Sequence, residues 1–491
     1  MKKNKGWYKP KGYLHISSKL RKGDETSVLR YIQEKVKDHN FFPLIHETLN
    51  TRRYKKLITD ERSHFDYISK NPKPTAKNRE IFYANHLDAH IYSYYTNEIL
   101  GPRYEAILKE DYELDKSIIA YRRIPITEGG DNNKCNIHFA KEVFEEIKER
   151  KNCYAVCYDI ENFFPTLNHD YLKKCWSELM QVDRLDKVHF KIFKSITNFS
   201  FVELNDIIIA CSDKERGLLK KHDFINSKPK LKSYFINPKD FRAKIASKNL
   251  ISVNPKDKTG KQKGIPQGTP ISAFLANLYL LNFDKYIIEN YVRSEEKCFY
   301  RRYSDDIIII FQNETQFEIF DKNIRENLCA EPFSLTINSS KTISSKFEEK
   351  NGKLYCSTKT ENKNKLSENI SLRYLGFEFN GDLTFIKDAS LGNYYRELKK
   401  SLRIKGNRVK AAKKFNFKNP TATQKETKLH LTKLMRRFTH LGKKKAKSNF
   451  LTYADRSAKV MYPDLELSKN PIRNQVKRSW SIFNKTANRY R

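Results

Sequence analysis

Asp305 and Asp306 stand side by side between an aromatic, basic run (Phe299-Tyr300-Arg301-Arg302-Tyr303) and four consecutive isoleucines, Ile307 to Ile310. β-Branched residues suit a pleated, covered surface, so the isoleucines predict a buried strand. Asp disfavours strand interiors and accepts turn geometry, which puts the pair in a tight hairpin turn. Two carboxylates that close repel one another unless a cation lies between them, and hard divalent cations take such oxygen ligands. An Asp-Asp turn by itself usually has no function, so the reading depends on partners. Cys153 to Tyr158 reads as a second buried strand, and it delivers Asp159 at its end. An acid at the mouth of an apolar strand is costly to desolvate without a cation or hydrogen bonds. Phe163 and Phe164 follow it and can wall a sugar pocket.

Other polar stretches add candidates. Gly264-Ile265-Pro266-Gln267-Gly268-Thr269-Pro270-Ile271-Ser272 is a loop pinned by two glycines and two prolines, opening a helix rich in small residues. Gly268 is expected to let a ligand approach the backbone, the helix start to favour phosphate, and Gln267 to meet a base or sugar edge. Arg79 reads as a cation at the mouth of a helical element. Arg122 and Arg123 open a Gly-, Asp- and Asn-rich loop that suits either a triphosphate or plain solvent. His86 and His90, four apart on that helix, lack a third metal ligand in the sequence and read as core packing. Phe333 to Ile337 alternates as a half-buried strand and leads to Lys341. Tyr374 to Gly381 reads as a hairpin closed by Asn380-Gly381.

The elements that must position these groups belong to a chain of 491 residues with a formal charge of +37. That excess calls for a polyanionic partner, nucleic acid first and an anionic membrane second. Residues 391–491 hold 28 Lys and Arg against 5 Asp and Glu, so a basic helical bundle touching a nucleic-acid backbone is expected there. No apolar run approaches the ~20 residues of a membrane span, and no secretory signal is visible. The eight cysteines are scattered without metal-ligand spacing, which suggests buried thiols and a reducing cytoplasm. Pro72 to Arg79 reads as a linker or loop, and residues 171–262, Lys-rich at Lys220-Lys221 and from Lys228 to Lys232, as mostly solvated loop.

Four features stand in one order: Asp159 with Phe163-Phe164, the Gln267-Gly268-Thr269-Pro270-x-Ser272 loop, Tyr303-Ser304-Asp305-Asp306, and Lys341 followed by Leu375-Gly376. The series resembles the polymerase motifs of reverse transcriptases across roughly residues 79–381. It is most like the bacterial abortive-infection and defence-associated groups, through Arg79-Glu-Ile, His86-Leu-Asp-Ala, Tyr121-Arg122-Arg123 and Asn136-Ile-His-Phe-Ala, with kinship to retron and group II intron enzymes. The resemblance implies an α+β right-hand polymerase. Its parts would be a basic N-terminal extension (1–78), fingers (79–155), a palm with antiparallel sheet (156–381, insertion 171–262) and a basic α-helical thumb or C-terminal domain (382–491). It implies that Asp159, Asp305 and Asp306 are catalytic and hold two Mg²⁺ ions, with Mn²⁺ as a substitute. Phe164 would fall on the steric gate against a 2′-hydroxyl. Gln267 would line the nucleotide pocket, Lys341 would sit near the pyrophosphate, and Arg79 with Arg122 or Arg123 would approach the triphosphate. Leu375 and Gly376 would support the primer end. Ser304 takes the place of a commoner Ala, a mild departure.

The function implied is RNA-directed DNA synthesis from dNTPs on an RNA template, with a DNA product, in bacterial antiphage defence beside a dedicated noncoding RNA. Neither RNase H nor integrase activity is expected. Two alternatives stand: template-independent or protein-primed synthesis at the same site, for which Tyr490 is one hydroxyl among many, and a catalytically inactive RNA-binding scaffold. Template, primer, trigger, homo-oligomerisation and the role of residues 1–78 stay open.

Overall fold

The computed structural model describes residues 6–52, 76–227, 230–256, 260–295, 297–360, 367–368, 370–441, 449–466 and 468–490. Its strands are β1 (Leu44–Arg52), β2 (Ala76–Tyr83), β3 (Cys153–Asp159), β4 (Ser200–Glu203), β5 (Ser252–Val253), β6 (Phe299–Tyr303), β7 (Asp306–Phe311), β8 (Ile343–Lys350), β9 (Lys353–Thr360), β10 (Ser367–Glu368), β11 (Leu372–Tyr374), β12 (Phe377–Phe379) and β13 (Thr384–Ile386). They form three sheets, with the orders β2-β1-β4-β5, β10-β9-β8-β3-β7-β6 and β11-β12-β13.

The six-stranded sheet is the frame of the site. β3 runs antiparallel to β7 and to β8, and β7 is antiparallel to β6. Ile307 to Ile310 are fully buried, because both faces of the sheet are covered. Ile307 and Ile309 join Val156 and Tyr158 in one core with the helices Leu281–Ile287 and Glu314–Cys329. Ile308 and Ile310 join Ala155 in a second core, with the helix Asn136–Arg150 and the C-terminal helices. A strand apolar on both faces reads as an unbroken run, which is why these isoleucines do not alternate with polar residues.

Residues 171–262 correct the loop expected there. The helix His169–Met180 buries Leu172, Cys175, Trp176 and Leu179, and the helix Lys187–Thr197 buries Ile192, Phe193 and Ile196. β4 then pairs parallel to β1, and a third core gathers Ile45, Val202, Ile207, Phe224, Phe235 and Phe241. Lysines on the outer faces dominate the composition, while the inward residues follow helical spacing. Residues 228–229 and 257–259 of this stretch lie outside the described residues. The small sheet therefore combines strands from before and after Asp159, whereas the resemblance placed all of the fingers before it. The linker expected at 72–79 is corrected in part: residues 72–75 lie outside the described residues, and 76–79 belong to β2, paired in register with β1 (Leu49 opposite Arg79). Arg79 is thus an exposed strand residue and not at a helix mouth.

Beyond β13 the described residues form the helices Asp388–Lys418, Thr432–Phe438, Phe450–Met461, Pro471–Val476 and Ser479–Asn488. Leu398, Leu402, Phe438, Leu451, Ile472 and Phe483 close their core. The ring of Tyr490 lies on Gly406, where a Cβ would come within 2.2 Å of it. Among the described residues no helix is long and apolar enough to cross a membrane.

Candidate active site on the central sheet

Asp159 and Asp306 are direct cross-strand partners in the β3–β7 ladder, and Asp306 is also opposite Tyr303 across the β6–β7 hairpin. Ser304 and Asp305 form the two-residue turn, with Ser304 in the left-handed region at φ +62°. Just past the ladder, Ile160 N–H donates to the Asp305 carbonyl at 3.4 Å. Asp159 is thus brought to the same end of the sheet as the adjacent Asp305 and Asp306, 146 and 147 residues later in the chain. Opposed residues in an antiparallel ladder have Cα atoms ~4.5–5.5 Å apart, within reach of shared cations.

The charges there are poorly balanced. Asp306 keeps an open face to solvent but sits deep among the atoms of the sheet edge. Burial, then Asp305 and Asp159, push its carboxyl up to about 7, against the pull of Lys341 and Lys387. Lys341 forms an ion pair with Asp159. Its short turn is anchored on the same residue, through Asn338 N–H to the Asp159 carbonyl at 2.8 Å and Lys341 N–H to Asn338 at 3.0 Å. Lys387, absent from the sequence reading, precedes the long C-terminal helix; its N–H donates to the Gly376 carbonyl at 2.9 Å.

An all-carboxylate donor set whose mutual repulsion favours holding a proton fits hard divalent cations. Among the described residues no three His, Cys, Asp or Glu side chains are already drawn into a metal cage. The fit therefore rests on the donor chemistry and on the surplus negative charge.

The nucleotide-side candidates are joined by backbone contacts. Ile265 N–H donates to the Phe164 carbonyl at 2.9 Å and Gly264 N–H to Leu167 at 2.8 Å, so the glycine loop is latched to the Phe163–Thr166 turn. Phe163 is buried in the core, which corrects its reading as part of a sugar pocket; Phe164 stays partly exposed. Phe82 N–H donates to the Gln267 carbonyl at 2.8 Å, tying the loop to β2 three residues beyond Arg79.

Two expectations for this loop change. A Cβ on Gly268, at φ +113°, would meet the Phe82 carbonyl at 2.9 Å, so the close approach is to β2 rather than to a ligand. The start of the Ser272–Tyr279 helix is closed by its own loop, since Ser272 is buried and its hydroxyl donates to the Pro266 carbonyl at 2.6 Å.

Of the three fingers arginines, Arg122 is held by protein groups, correcting its triphosphate role. Its guanidinium meets Glu105 through Nε and Nη2 at 2.8 Å each, the carbonyls of Asp115 and Ile118 at 2.7 and 2.8 Å, and the Asp115 carboxylate, which uses all five N–H groups. Arg123 is exposed, its guanidinium lying over Gly6. Leu375 and Gly376, at φ +42° and +90°, make the turn between β11 and β12, and Asn136 Nδ2 donates to the Leu375 carbonyl at 3.0 Å. Asn380-Gly381 closes the following hairpin, β12–β13, so the predicted single hairpin is two in succession. The His86–His90 helix packs as core, beside a third imidazole: His15 Nε2 bonds the Tyr83 carbonyl at 2.9 Å, its ring lies 6.4 Å from that of His86, and among the described residues the three form no metal cluster. All three imidazoles are buried.

Sequence reasoning also missed the support beneath the turn. Arg302 and Asp284 are both wholly buried. Arg302 meets Asp284 through Nε at 2.8 Å and Nη2 at 2.6 Å, and its Nη1 donates to Asn277 Oδ1 at 3.0 Å and to the Ser304 carbonyl at 3.1 Å. Tyr300 O–H adds a bond to Asp284 at 2.5 Å. Burial works against the Arg302 charge, but Asp284 overrides it and raises the guanidinium pKa. Alternation along β6 was the available signal: Tyr300 and Arg302 fall on one face, and an arginine there needs a buried acid.

Residues 206–379 match the family model described as reverse transcriptase (RNA-dependent DNA polymerase). Over that stretch the chain is similar to a reverse-transcriptase domain. Such a domain is that of an RNA-directed DNA polymerase, a nucleotidyltransferase, and its α+β architecture is the one found here. The match contains Asp305 and Asp306 but begins after Asp159, which joins them through the β3–β7 ladder. No sequence among curated proteins matches the chain. Similar solved structures include apo telomerase from Candida tropicalis truncated from the C-terminal domain (TM-score 0.36, 12% identity, 73% of this chain and 58% of that one). Telomerase from Candida albicans in complex with a TWJ fragment of telomeric RNA is another (TM-score 0.35, 11% identity, 94% of this chain and 65% of that one). The chain thus spans about three fifths of the length of these telomerases, and at such TM-scores the likeness does not define its activity.

Proposed function

We propose that the chain synthesises DNA on an RNA template, with Asp159, Asp305 and Asp306 holding two divalent cations, Mg²⁺ in the first place. Bound there, the cations would supply charge neutralisation for the triphosphate and acidify the primer 3′-hydroxyl. Transfer of a nucleotidyl group asks the protein mainly for positioning and electrostatics. The sheet register provides the first, by fixing Asp159 beside the hairpin turn. Lys341 would provide part of the second: paired with Asp159 here, it would turn toward a leaving pyrophosphate. Phe164 and Gln267, on segments latched together, would face the sugar and base of the incoming dNTP. Arg79 and Arg123 are the fingers cations with charge to offer a triphosphate, and Leu375-Gly376 would steady the primer end. A role in bacterial antiphage defence, with a dedicated noncoding RNA, is proposed on the sequence resemblance alone.

The pairing of Asp159 with Asp306 carries this reading. An inactive RNA-binding scaffold has no use for three crowded acids, which only destabilise it. Extension of a labelled DNA primer on an RNA template, with dNTPs and Mg²⁺, tests the proposal. The wild type should extend it; Asp305→Asn with Asp306→Asn, and chelation by EDTA, should each reduce incorporation at least about a thousand-fold. Full activity in the double variant would overturn the assignment. Product that shifts on a denaturing gel only after protease treatment would favour protein priming.

A further inference from the structure

Tyr121 is held in a conformation that its side chain does not favour. Its φ is +61°, in the left-handed region where a bulky residue is strained. Both neighbours impose it. Ala120 is fully buried and its carbonyl accepts from Asn277 Nδ2 at 2.8 Å, while Arg122 is fixed by Glu105, Asp115 and Ile118. Glycine or asparagine would fit this φ at less cost. The ring recovers little through burial, because Tyr121 is 56% exposed.

The ring does have a definite address. Its hydroxyl donates to Ser304 Oγ at 3.3 Å, at the turn that carries Asp305. Its centroid lies 6.3 Å from that of Tyr303 with a 44° tilt, and Tyr303 lies 6.4 Å from the buried Phe139. Three aromatic rings therefore lead from the core to solvent, and the outermost ends beside the carboxylate turn. Ser304, the departure from the commoner Ala, is the residue that receives the Tyr121 hydroxyl.

We propose that Tyr121 is a stacking platform for a nucleobase at this turn, either that of the incoming nucleotide or that of the primer's terminal nucleotide. The inference rests on the polymerase reading. An aromatic face binds any base through its π-surface, and a ring kept out of the core and beside the reacting groups is free to do so.

Tyr121→Gly separates this role from a structural one, because it relieves the backbone strain while removing the ring. Its melting temperature should equal or exceed that of the wild type. In primer extension the variant should lose roughly ten-fold in affinity, the effect expected for one stacked base. A raised KM for dNTP with unchanged primer–template Kd identifies the incoming base; a raised Kd with unchanged KM identifies the primer end. Tyr121→Trp should stay within about three-fold of wild type, since it keeps the platform. A Tyr121→Gly variant within two-fold of wild type on both constants overturns the proposal, as does one that melts lower and loses activity through misfolding. A wild-type protein that incorporates nothing overturns the polymerase reading instead.

Discussion

At one end of β6, Arg302 and Asp284 neutralise each other with no solvent contact; at the hairpin turn two residues on, Asp305 and Asp306 face Asp159 with only lysines opposite. The same hairpin thus contributes the arginine of a neutralised buried pair and carries, at its turn, an acidic cluster that Lys341 and Lys387 offset only in part. The first fixes the backbone, because Arg302 also holds the Ser304 carbonyl. The second stores repulsion that a cation would relieve. Stability and chemistry are divided along a few residues of one strand.

Breaking the compensated pair should have the largest effect on stability. Arg302→Met leaves Asp284 buried without its partner and should cost about 3–5 kcal/mol in urea unfolding. Arg302→Met with Asp284→Leu should recover more than half of that, because it removes both charges together. If the double variant is as unstable as the single one, the pair is not the compensated unit described here.

The buried imidazoles provide an intermediate test, since they too are charges the fold excludes. Burial lowers His15 to about 3, and burial with His90 and Lys19 nearby lowers His86 to about 4. His90 is lowered by burial as well. A histidine depressed in the folded state binds its proton more readily when unfolded. Its contribution is therefore intact above the ordinary value near 6.5 and is lost as pH falls toward the folded value. Between pH 7 and pH 5 the loss should be on the order of 1–2 kcal/mol each for His15 and His86, with His90 changing in the same direction. Calorimetry at the two pH values checks this, and a flat profile would contradict the burial.

The smallest effect sharpens the other side of the comparison. Asp306→Asn removes one of three repelling charges, so without divalent cations it should raise stability by about 1 kcal/mol. With Mg²⁺ present the gain should shrink, because the wild type would then be stabilised by the ion while the variant would bind it poorly. Melting curves with and without Mg²⁺ distinguish these. Equal shifts in both conditions would mean that the carboxylates do not share an ion.

Much of the site was legible in residue types. Asp159 and Asp305-Asp306 were readable because each adjoins an apolar run that announces a strand and because they stand in one order with the Gln267 loop and Lys341. The Lys-rich composition of residues 171–262 hid a folded subdomain, since average charge masks an amphipathic face. Arg122 read as a phosphate cation because its acids, Glu105 and Asp115, lie 17 and 7 residues back on two helices, and only the folding of the chain back on itself brings them to the guanidinium.

The local sequence determined the two strands that carry the acids, where the turn between Tyr303 and Asp306 would lie and that the C-terminal fifth would be basic, because these depend on neighbours in the chain. Tertiary structure alone decided that Asp159 would face Asp306, that Arg302 would find Asp284, and that Tyr121 would be strained beside Ser304. Those pairings depend on strand register and helix docking, which join residues up to nearly two hundred positions apart and follow from burying both faces of one sheet.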